Sequence, residues 1–227
     1  MTTPQPPEEV FYAHAMTPEA LIRSATSWQQ VPFVPEIRLL TAAEPFGLWD
    51  RTELDAPPFW AFPWAGGQAL ARYVLDHPAA VTRRRVLDIA SGSGLVAIAA
   101  AKAGAASVAA YDIDSNAVAA IGINAAANDA AVSSRAFDLA EGDVREAEVV
   151  LAADVFYQRE LAELTLRFLR AAAGVGADVI VADPGRAFLP AAALTPLTSY
   201  QVPVLSVLED APVKNVTVYR LCGRSVS

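Results

Sequence analysis

Short apolar runs alternate with helical stretches from residue 83 to the end of the chain. The apolar runs predict seven β-strands, at residues 83–90, 107–114, 133–139, 148–157, 177–185, 200–208 and 215–223. Helices are predicted between them at residues 95–104, 115–129 and 159–174, with Ser115 as the cap of the second. This alternation predicts an α/β, Rossmann-like fold: a seven-stranded, mainly parallel sheet with helices on both faces, whose last two strands are close enough to pair.

The first 57 residues have a different pattern and are interpreted as an N-terminal extension of a domain that covers residues 58–227. The Pro-rich, acidic residues 1–9 are predicted to be disordered. Thr17 and Pro18 predict the start of a helix over residues 17–29, and the Pro-broken residues 31–57 are predicted to be extended. Helical spacing returns in the stretch GGQALARYVLD, from Gly66 to Asp76.

Composition narrows the class of protein. The 227 residues suit one α/β domain with an extension, and the formal net charge of −8 argues against a nucleic-acid surface. Cys222 is the single cysteine, and His14 and His77 stand in unrelated contexts, so neither a disulfide nor a metal site is expected. We find no signal-peptide pattern and no membrane-spanning apolar run, and expect a cytoplasmic protein that does not bind membranes.

Carboxylates stand at or near the ends of five predicted strands. They are Asp88, Asp112 with Asp114 beside it, Asp138, Asp154 and Asp183. In a parallel sheet the carboxyl ends of the strands form the ligand-binding edge, so these side chains are expected to face one ligand.

The small residues after Asp88 give three alternatives for that ligand. Gly92 and Gly94 fit the dinucleotide pattern, and Asp112 follows Gly94 by 18 residues, near the usual spacing. However, Asp88 would face the pyrophosphate without a Lys or Arg in the loop, and no Gly-Lys-Ser/Thr of a phosphate loop follows. S-adenosylmethionine (SAM) fits better: it has no phosphate, and its ammonium, ribose diol and adenine amine suit Asp88, Asp112 and Asp138 respectively. A non-catalytic nucleotide-binding module stays open.

Six stretches resemble a known family. VLDIASGSG (86–94) looks like motif I of the class I SAM-dependent methyltransferases, with Ala90 where that motif usually has its first glycine, and YDID (111–114) looks like their acidic loop. The stretches VPEIRLLTA, PFWAFPWAGGQALARYVLDHP, DVFY and VADPGR resemble the lysine methyltransferases of the electron-transfer flavoprotein β-subunit and their bacterial relatives. The resemblance implies N-methylation of a protein lysine, with SAM as cofactor and that subunit as partner. A small-molecule (pyridine-type) N-methyltransferase and a ribosomal-protein methyltransferase are the alternatives.

The predicted site follows from the strand ends and the resemblance together. Asp154 is predicted to aim the target amine and Tyr157 to wall the channel, although Tyr157 also suits a core position with its hydroxyl at the rim. Asp183 and Arg186 either orient the substrate or form a tight turn. Trp60 and Trp64 are predicted to alternate along an extended segment as an aromatic wall. The resemblance, not the spacing, implies that residues 31–57 lie across the site as part of a substrate wall. The predicted cofactor-binding residues are Trp60, Trp64, Gly66, Asp88, Ala90, Gly92, Gly94, Asp112, Ile113, Asp138 and Asp154.

Overall fold

A computed structural model describes residues 17–43, 58–140, 146–204 and 211–222. Within these ranges the extension forms helix α1, Pro18–Ala25, and a two-stranded antiparallel hairpin of β1, Ser27–Val31, and β2, Val34–Thr41. The Thr17 hydroxyl accepts a hydrogen bond from the Ala20 amide at 3.3 Å and caps α1, as predicted. The rest of the predicted extended stretch, residues 44–57, and the predicted disordered residues 1–9 lie outside the described residues.

The predicted helix over residues 17–29 is wrong in its second half. The helix ends at Ala25, and the next residues are strand β1 because their backbone pairs with β2 from Ser27↔Thr41 to Val31↔Val34. The aromatic stretch that follows folds into a short 3₁₀ turn at Phe59–Ala61 and then helix α2, Ala65–Asp76.

The seven-stranded sheet predicted from the apolar runs is confirmed. The strands of this sheet are β3 Arg85–Ile89, β4 Ser107–Asp112, β5 Ser133–Ala136, β6 Val149–Ala153, β7 Asp178–Asp183, β8 Leu194–Pro203 and β9 Val213–Leu221. The helices between them are α3 Leu95–Lys102, α4 Ser115–Ala127 and α5 Arg159–Gly174. The strand order is β5-β4-β3-β6-β7-β9-β8; β9 is antiparallel to both β7 and β8, and the other neighbours are parallel. The chain builds outward from β3 on one side and from β6 on the other. The carboxyl ends of β3 and β6 therefore flank the topological switch point, where open α/β sheets bind ligands.

Both faces of the sheet are covered. On one face the strands contribute side chains such as Val149 and Leu151 to a core shared with α2, α3 and α4. The alternate positions, such as Val150 and Ala152, pack on the other face against α5. Strand side chains alternate between faces, so strands covered on both sides carry continuous apolar runs, which explains why the runs were visible in the sequence.

Several boundaries differ from the prediction; β5, for example, ends at Ala136 rather than 139. Asp114, not Ser115, is the N-cap of α4, because its side chain accepts a hydrogen bond from the Asn116 amide at 2.8 Å. Strand β6 ends at Ala153 rather than 157, because Asp154 has a left-handed backbone with φ of 56°. Strand β8 begins at Leu194, six residues before the predicted start at 200.

In the described part of the chain, no helix is both long and apolar enough to cross a bilayer.

Candidate active site

The turn between β3 and α3 is built from left-handed residues. Ala90, Gly92 and Gly94 have φ values of 48°, 54° and 83°. A β-carbon at Gly94 would lie 3.2 Å from Cα of Ile121 on α4, so this turn sits tightly on that helix. Glycine adopts these angles at little cost, whereas Ala90 carries a β-carbon in a conformation that costs roughly 1–2 kcal/mol. Ala90 thus adopts the left-handed backbone of this turn despite its β-carbon.

Asp88 is buried beside this turn and is hydrogen-bonded to it. Its side chain is 2% exposed, and its Oδ2 accepts hydrogen bonds from the Ser91 hydroxyl at 2.5 Å and the Ala97 amide at 3.1 Å. Burial raises the pKa of this carboxyl from 3.8 to about 7, against the lowering effect of those hydrogen bonds. Asp88 thereby links the turn to the first residues of α3, and its predicted contact with the methionine end of a cofactor stays a prediction.

Asp112 reaches the same turn from the neighbouring strand. Its Oδ2 accepts a hydrogen bond from the Gly92 amide at 2.8 Å, and its Oδ1 accepts one from the Asp114 amide at 3.0 Å. Burial raises the pKa of this carboxyl. Ile113 beside it is 73% exposed, and Asp138, after β5, is exposed and accepts a hydrogen bond from the Ala140 amide. The structure therefore brings Asp112 to the glycine-rich turn and leaves the other two side chains at the rim.

Asp154 lies across the switch point, at the end of β6. Its Oδ2 accepts a hydrogen bond from the Gly67 amide in the first turn of α2, at 3.0 Å. Its Oδ1 forms an ion pair with Arg186 Nη2 at 3.2 Å. Burial raises the pKa of the Asp154 carboxyl to about 6, although the Arg186 charge acts in the opposite direction. One side chain thus connects β6, α2 and the segment after β7.

Asp183 shapes that last segment. It is buried at the end of β7, and its Oδ1 accepts hydrogen bonds from the amides of Gly185 at 2.7 Å and Arg186 at 2.6 Å. Gly185 has a φ of 90°, which favours glycine. The turn brings the Arg186 guanidinium back to Asp154, so the structure joins Asp154, Asp183 and Arg186 in one cluster, with Asp183 in the role of turn residue.

The aromatic segment differs from its predicted geometry. Residues 59–61 form a 3₁₀ turn instead of an extended strand, and the Trp60 side chain is a core side chain, 1% exposed. The half-buried Trp64 donates a hydrogen bond from Nε1 to the Phe59 carbonyl at 2.9 Å. The predicted extended segment is therefore wrong at residues 59–61. The alternation rule holds only for extended backbone, so it says nothing about the directions of these two indoles. The backbone at Trp60 still borders the site: a β-carbon at Gly92 would lie 3.9 Å from Trp60 Cα.

Tyr157 closes the site on the β6 side. It is 38% exposed, and its ring centroid lies 5.4 Å from that of Phe59, which in turn lies 5.7 Å from Trp64. Beyond Trp64 is a cavity of about 360 Å³ between the β1–β2 hairpin, the aromatic turn and the end of β8. Its lining includes Val31, Thr41, Trp64, Gln68 and Val204. The hairpin therefore lines a hollow next to the site, on the side where a substrate wall was predicted.

Comparisons with known proteins agree with this geometry. The family model described as ribosomal protein L11 methyltransferase (PrmA) matches residues 69–177. Solved structures with the same fold include an RNA methyltransferase from Salinibacter ruber in complex with S-adenosylhomocysteine, 19% identical, with a TM-score of 0.51 over 70% of this chain and 94% of that one. A tRNA (uracil-54, C5)-methyltransferase from Pyrococcus abyssi is 14% identical, with a TM-score of 0.54 over 87% of this chain and 44% of that one. At these identities the likeness shows the fold alone.

Curated relatives narrow the family. The electron transfer flavoprotein beta subunit lysine methyltransferase of Xenopus laevis is 37% identical over 178 residues, which cover 76% of this chain and 72% of the relative. The mouse protein of the same name is 37% identical over 66% of this chain and 60% of the relative, so this chain spans less than two thirds of that protein. This chain belongs to the electron-transfer flavoprotein β-subunit lysine methyltransferase family.

In this member of the lysine methyltransferase family, two buried asparagines and one buried glutamine were not predicted from the sequence. Asn124 lies on α4 and Asn128 caps its C-terminal end, and both hydrogen-bond the β2 backbone. Gln68 on α2 is also buried, accepts a hydrogen bond from the Phe33 amide and donates one to the Pro63 carbonyl. One feature of the sequence could have indicated them. They are amide side chains on the face that each helix buries, and a buried amide needs hydrogen-bond partners.

Proposed function

We propose that this protein transfers a methyl group from SAM to a lysine of the electron-transfer flavoprotein β-subunit. This proposal depends mainly on one observation: the glycine-rich turn with Asp88 and Asp112, and the cluster of Asp154, Asp183 and Arg186, flank one switch point. The names of the relatives support the choice of substrate. The net charge of −8 suits a basic loop of a protein partner.

The residues at the turn fit SAM. The carboxylates around the turn suit its ammonium and ribose hydroxyls, whereas they would repel a pyrophosphate. We assign Asp112 to the ribose hydroxyls, Asp138 to the adenine amine, and the exposed Ile113 to the apolar face of the adenine. Gly92 and Gly94 let the backbone approach closely. When bound, the cofactor supplies a methyl group on a positively charged sulfur.

The chain's own task is to present a neutral amine in line with that methyl group. A free lysine has a pKa of about 10.4, which a nearby cation and burial both lower. Arg186 brings one such cation, and Asp154, held between Arg186 and the Gly67 amide, is placed to accept a hydrogen bond from the amine. With the cofactor bound, an N–C bond would form on the amine as the S–C bond of the sulfonium breaks, and the resulting methylammonium would lose one proton to solvent. Tyr157 and Phe59 exclude water beside this path.

One observation favours a second candidate, a small-molecule N-methyltransferase. The cavity beyond Trp64 has a volume of about 360 Å³, within the range of pockets that bind small ligands. Trp64 lines this cavity and contacts Phe59, so a pyridine-type substrate bound there would lie beside the aromatic cluster that includes Tyr157.

A methyl-transfer assay separates the two candidates. Purified enzyme and SAM with a labelled methyl group are added to a lysate of a strain that lacks the enzyme, and protein and small-molecule fractions are analysed by mass spectrometry. We expect labelled methyl-lysine in the electron-transfer flavoprotein β-subunit, and much less of it with the Asp112→Ala variant when SAM is below saturation. Label confined to small molecules would replace the first candidate with the second, and titration calorimetry that shows tight NAD binding would contradict both.

A further inference from the structure

A single buried side chain joins the N-terminal hairpin to the glycine-rich turn. Asn124 on α4 is fully buried; its Oδ1 accepts a hydrogen bond from the Leu40 amide at 2.9 Å. Its Nδ2 donates to the Ser93 carbonyl at 2.8 Å. Because the amide group is planar and both of its ends are bonded to backbone, a displacement of β2 strains the bond to the turn.

The next turn of α4 holds the same strand differently. Asn128 Oδ1 accepts a hydrogen bond from the Arg38 amide at 3.1 Å, and its Nδ2 donates to the Arg38 carbonyl at 2.7 Å. The Arg38 guanidinium also donates to the Ala127 carbonyl, at 3.2 Å from Nη2. Asn128 thus pairs with β2 as a neighbouring strand would, and it provides a matched comparison for Asn124.

The turn depends on α4 at the point where Asn124 acts. Ser93 is buried and precedes Gly94, whose Cα hydrogens face Ile121, three residues before Asn124. The Gly94 amide donates to the Ser91 carbonyl at 2.9 Å, so a shift at Ser93 changes the whole turn. The backbone conformation of this turn is therefore set from α4 as well as from Asp88 and Asp112.

The hairpin has its other side towards the cavity. Val31 and Thr41 line the cavity of about 360 Å³ together with Trp64 and Gln68. Arg72 on α2 holds the hairpin by an ion pair to Glu36 at 2.8 Å. A partner that contacts the hairpin would therefore act on strand β2, whose backbone is linked to the turn through the Asn124 side chain.

We propose that Asn124 is a positioning residue that couples the β1–β2 hairpin to the cofactor turn. Its amide transmits the position of β2 to the Ser93 carbonyl, so that the turn is correctly shaped for SAM only when the hairpin is in place. The proposal rests on the proposed function only in that the turn binds SAM. It assigns to the hairpin a role in cofactor affinity, in addition to any contact with substrate.

The first experiment compares Asn124→Leu with Asn128→Leu. Each removes a buried amide that bonds the β2 backbone, by one hydrogen bond at Asn124 and by two at Asn128, but only Asn124 also bonds the Ser93 carbonyl. The affinity for S-adenosylhomocysteine is measured by titration calorimetry, with circular dichroism and melting curves as a check of folding. We expect Asn124→Leu to weaken binding about 3- to 30-fold, the usual range for residues that couple sites, and Asn128→Leu to change it less than about twofold. Equal weakening in both variants would overturn the proposal, whereas failure of the wild-type chain to bind would instead contradict the proposed cofactor.

Hydrogen exchange gives a readout that a merely structural role would not change. In the wild-type chain, S-adenosylhomocysteine should slow amide exchange in residues 34–41. Both variants lose hydrogen bonds to β2 and should raise the basal exchange, but only Asn124→Leu should abolish the response to the ligand. A response that persists in Asn124→Leu would contradict the coupling.

If Asn124→Leu does not fold, Asn124→Asp provides the second arm. A protonated carboxyl donates to the Ser93 carbonyl as the amide does, and an ionised one repels it. The affinity of this variant for S-adenosylhomocysteine, divided by that of the wild-type chain, should therefore fall as the pH rises from about 5 to 8. A ratio that does not change with pH would overturn the proposal.

Discussion

Gly66 and Asp154 occupy a space that has no room for another side-chain atom. A β-carbon at Gly66 would lie 2.5 Å from Oδ2 of Asp154 and 2.9 Å from the Ala182 carbonyl oxygen. The same Oδ2 accepts the hydrogen bond from the Gly67 amide. The first turn of α2 therefore packs directly on the carboxylate at the end of β6, and this contact explains why residue 66 is a glycine.

Gly66→Ala is expected to lower both stability and activity. The methyl group must displace Asp154 or α2, and overpacking of this kind costs roughly 1–3 kcal/mol. Thermal melting and methyl-transfer assays measure the two effects. Gly67→Ala is the matched control, because a β-carbon there meets only a Leu95 side-chain atom at 4.0 Å and alanine favours the helix. A Gly66→Ala variant as stable and active as this control would contradict the close contact.

Ala90→Gly is expected to stabilise the protein by roughly 1 kcal/mol, because glycine adopts the observed φ of 48° without the strain of a β-carbon. Urea denaturation measures the difference in the free energy of unfolding. Ala171→Gly in the exposed part of α5 should instead lose about 1 kcal/mol, since no left-handed angle compensates there. If both substitutions destabilise equally, the strain at Ala90 does not exist.

Asp112→Ala should weaken the binding of S-adenosylhomocysteine by about 1.5–3 kcal/mol, the range for hydrogen bonds to a charged group. The variant loses the bond from the Gly92 amide together with the proposed bonds to the ribose. Titration calorimetry measures the affinity, and melting curves test the fold, which we expect to survive. An unchanged affinity with a lower melting temperature would assign Asp112 to the turn alone.

The fold could be predicted from the sequence because its strands are covered on both faces. Continuous apolar runs such as Val149–Ala153 are visible without knowledge of any partner, and so is the helix periodicity that follows. The hairpin could not be predicted in the same way. Its strand β1 has four exposed residues out of five, and only pairing with β2 turns residues 27–31 into a strand.

The site could be predicted only as far as strand ends determine it. The sequence places Asp154 at the end of a strand, but its contacts come from Gly67, 87 residues away, and Arg186, 32 residues away. Such partners depend on the packing of α2 and on the turn made by Asp183. Sequence spacing within one element carries no information about either of them.

Asp154→Asn tests whether this carboxylate acts on the substrate. The amide keeps the shape and size of the side chain but removes the charge that faces Arg186. Binding of S-adenosylhomocysteine should persist, because Asp88 and Asp112 support the turn without Asp154. Turnover should fall by roughly 10²-fold or more, in kcat more than in KM, since the contact matters most as positive charge moves onto the amine. Equal activity would remove Asp154 from the mechanism, and loss of cofactor binding would assign it to the SAM pocket.

The pH dependence of the wild-type enzyme gives an independent test of the same carboxylate. Burial raises the pKa of Asp154 to about 6, so the fraction that is ionised increases as the pH rises through this value. Single-turnover rates should therefore show a step near pH 6, below the further rise that comes from deprotonation of the target amine. In Asp154→Asn the step near pH 6 should disappear, and the rise at higher pH should remain. Arg186→Lys, which keeps a cation beside Asp154, should retain the step, and a variant profile that still contains it would attribute the titration to another group such as Asp88.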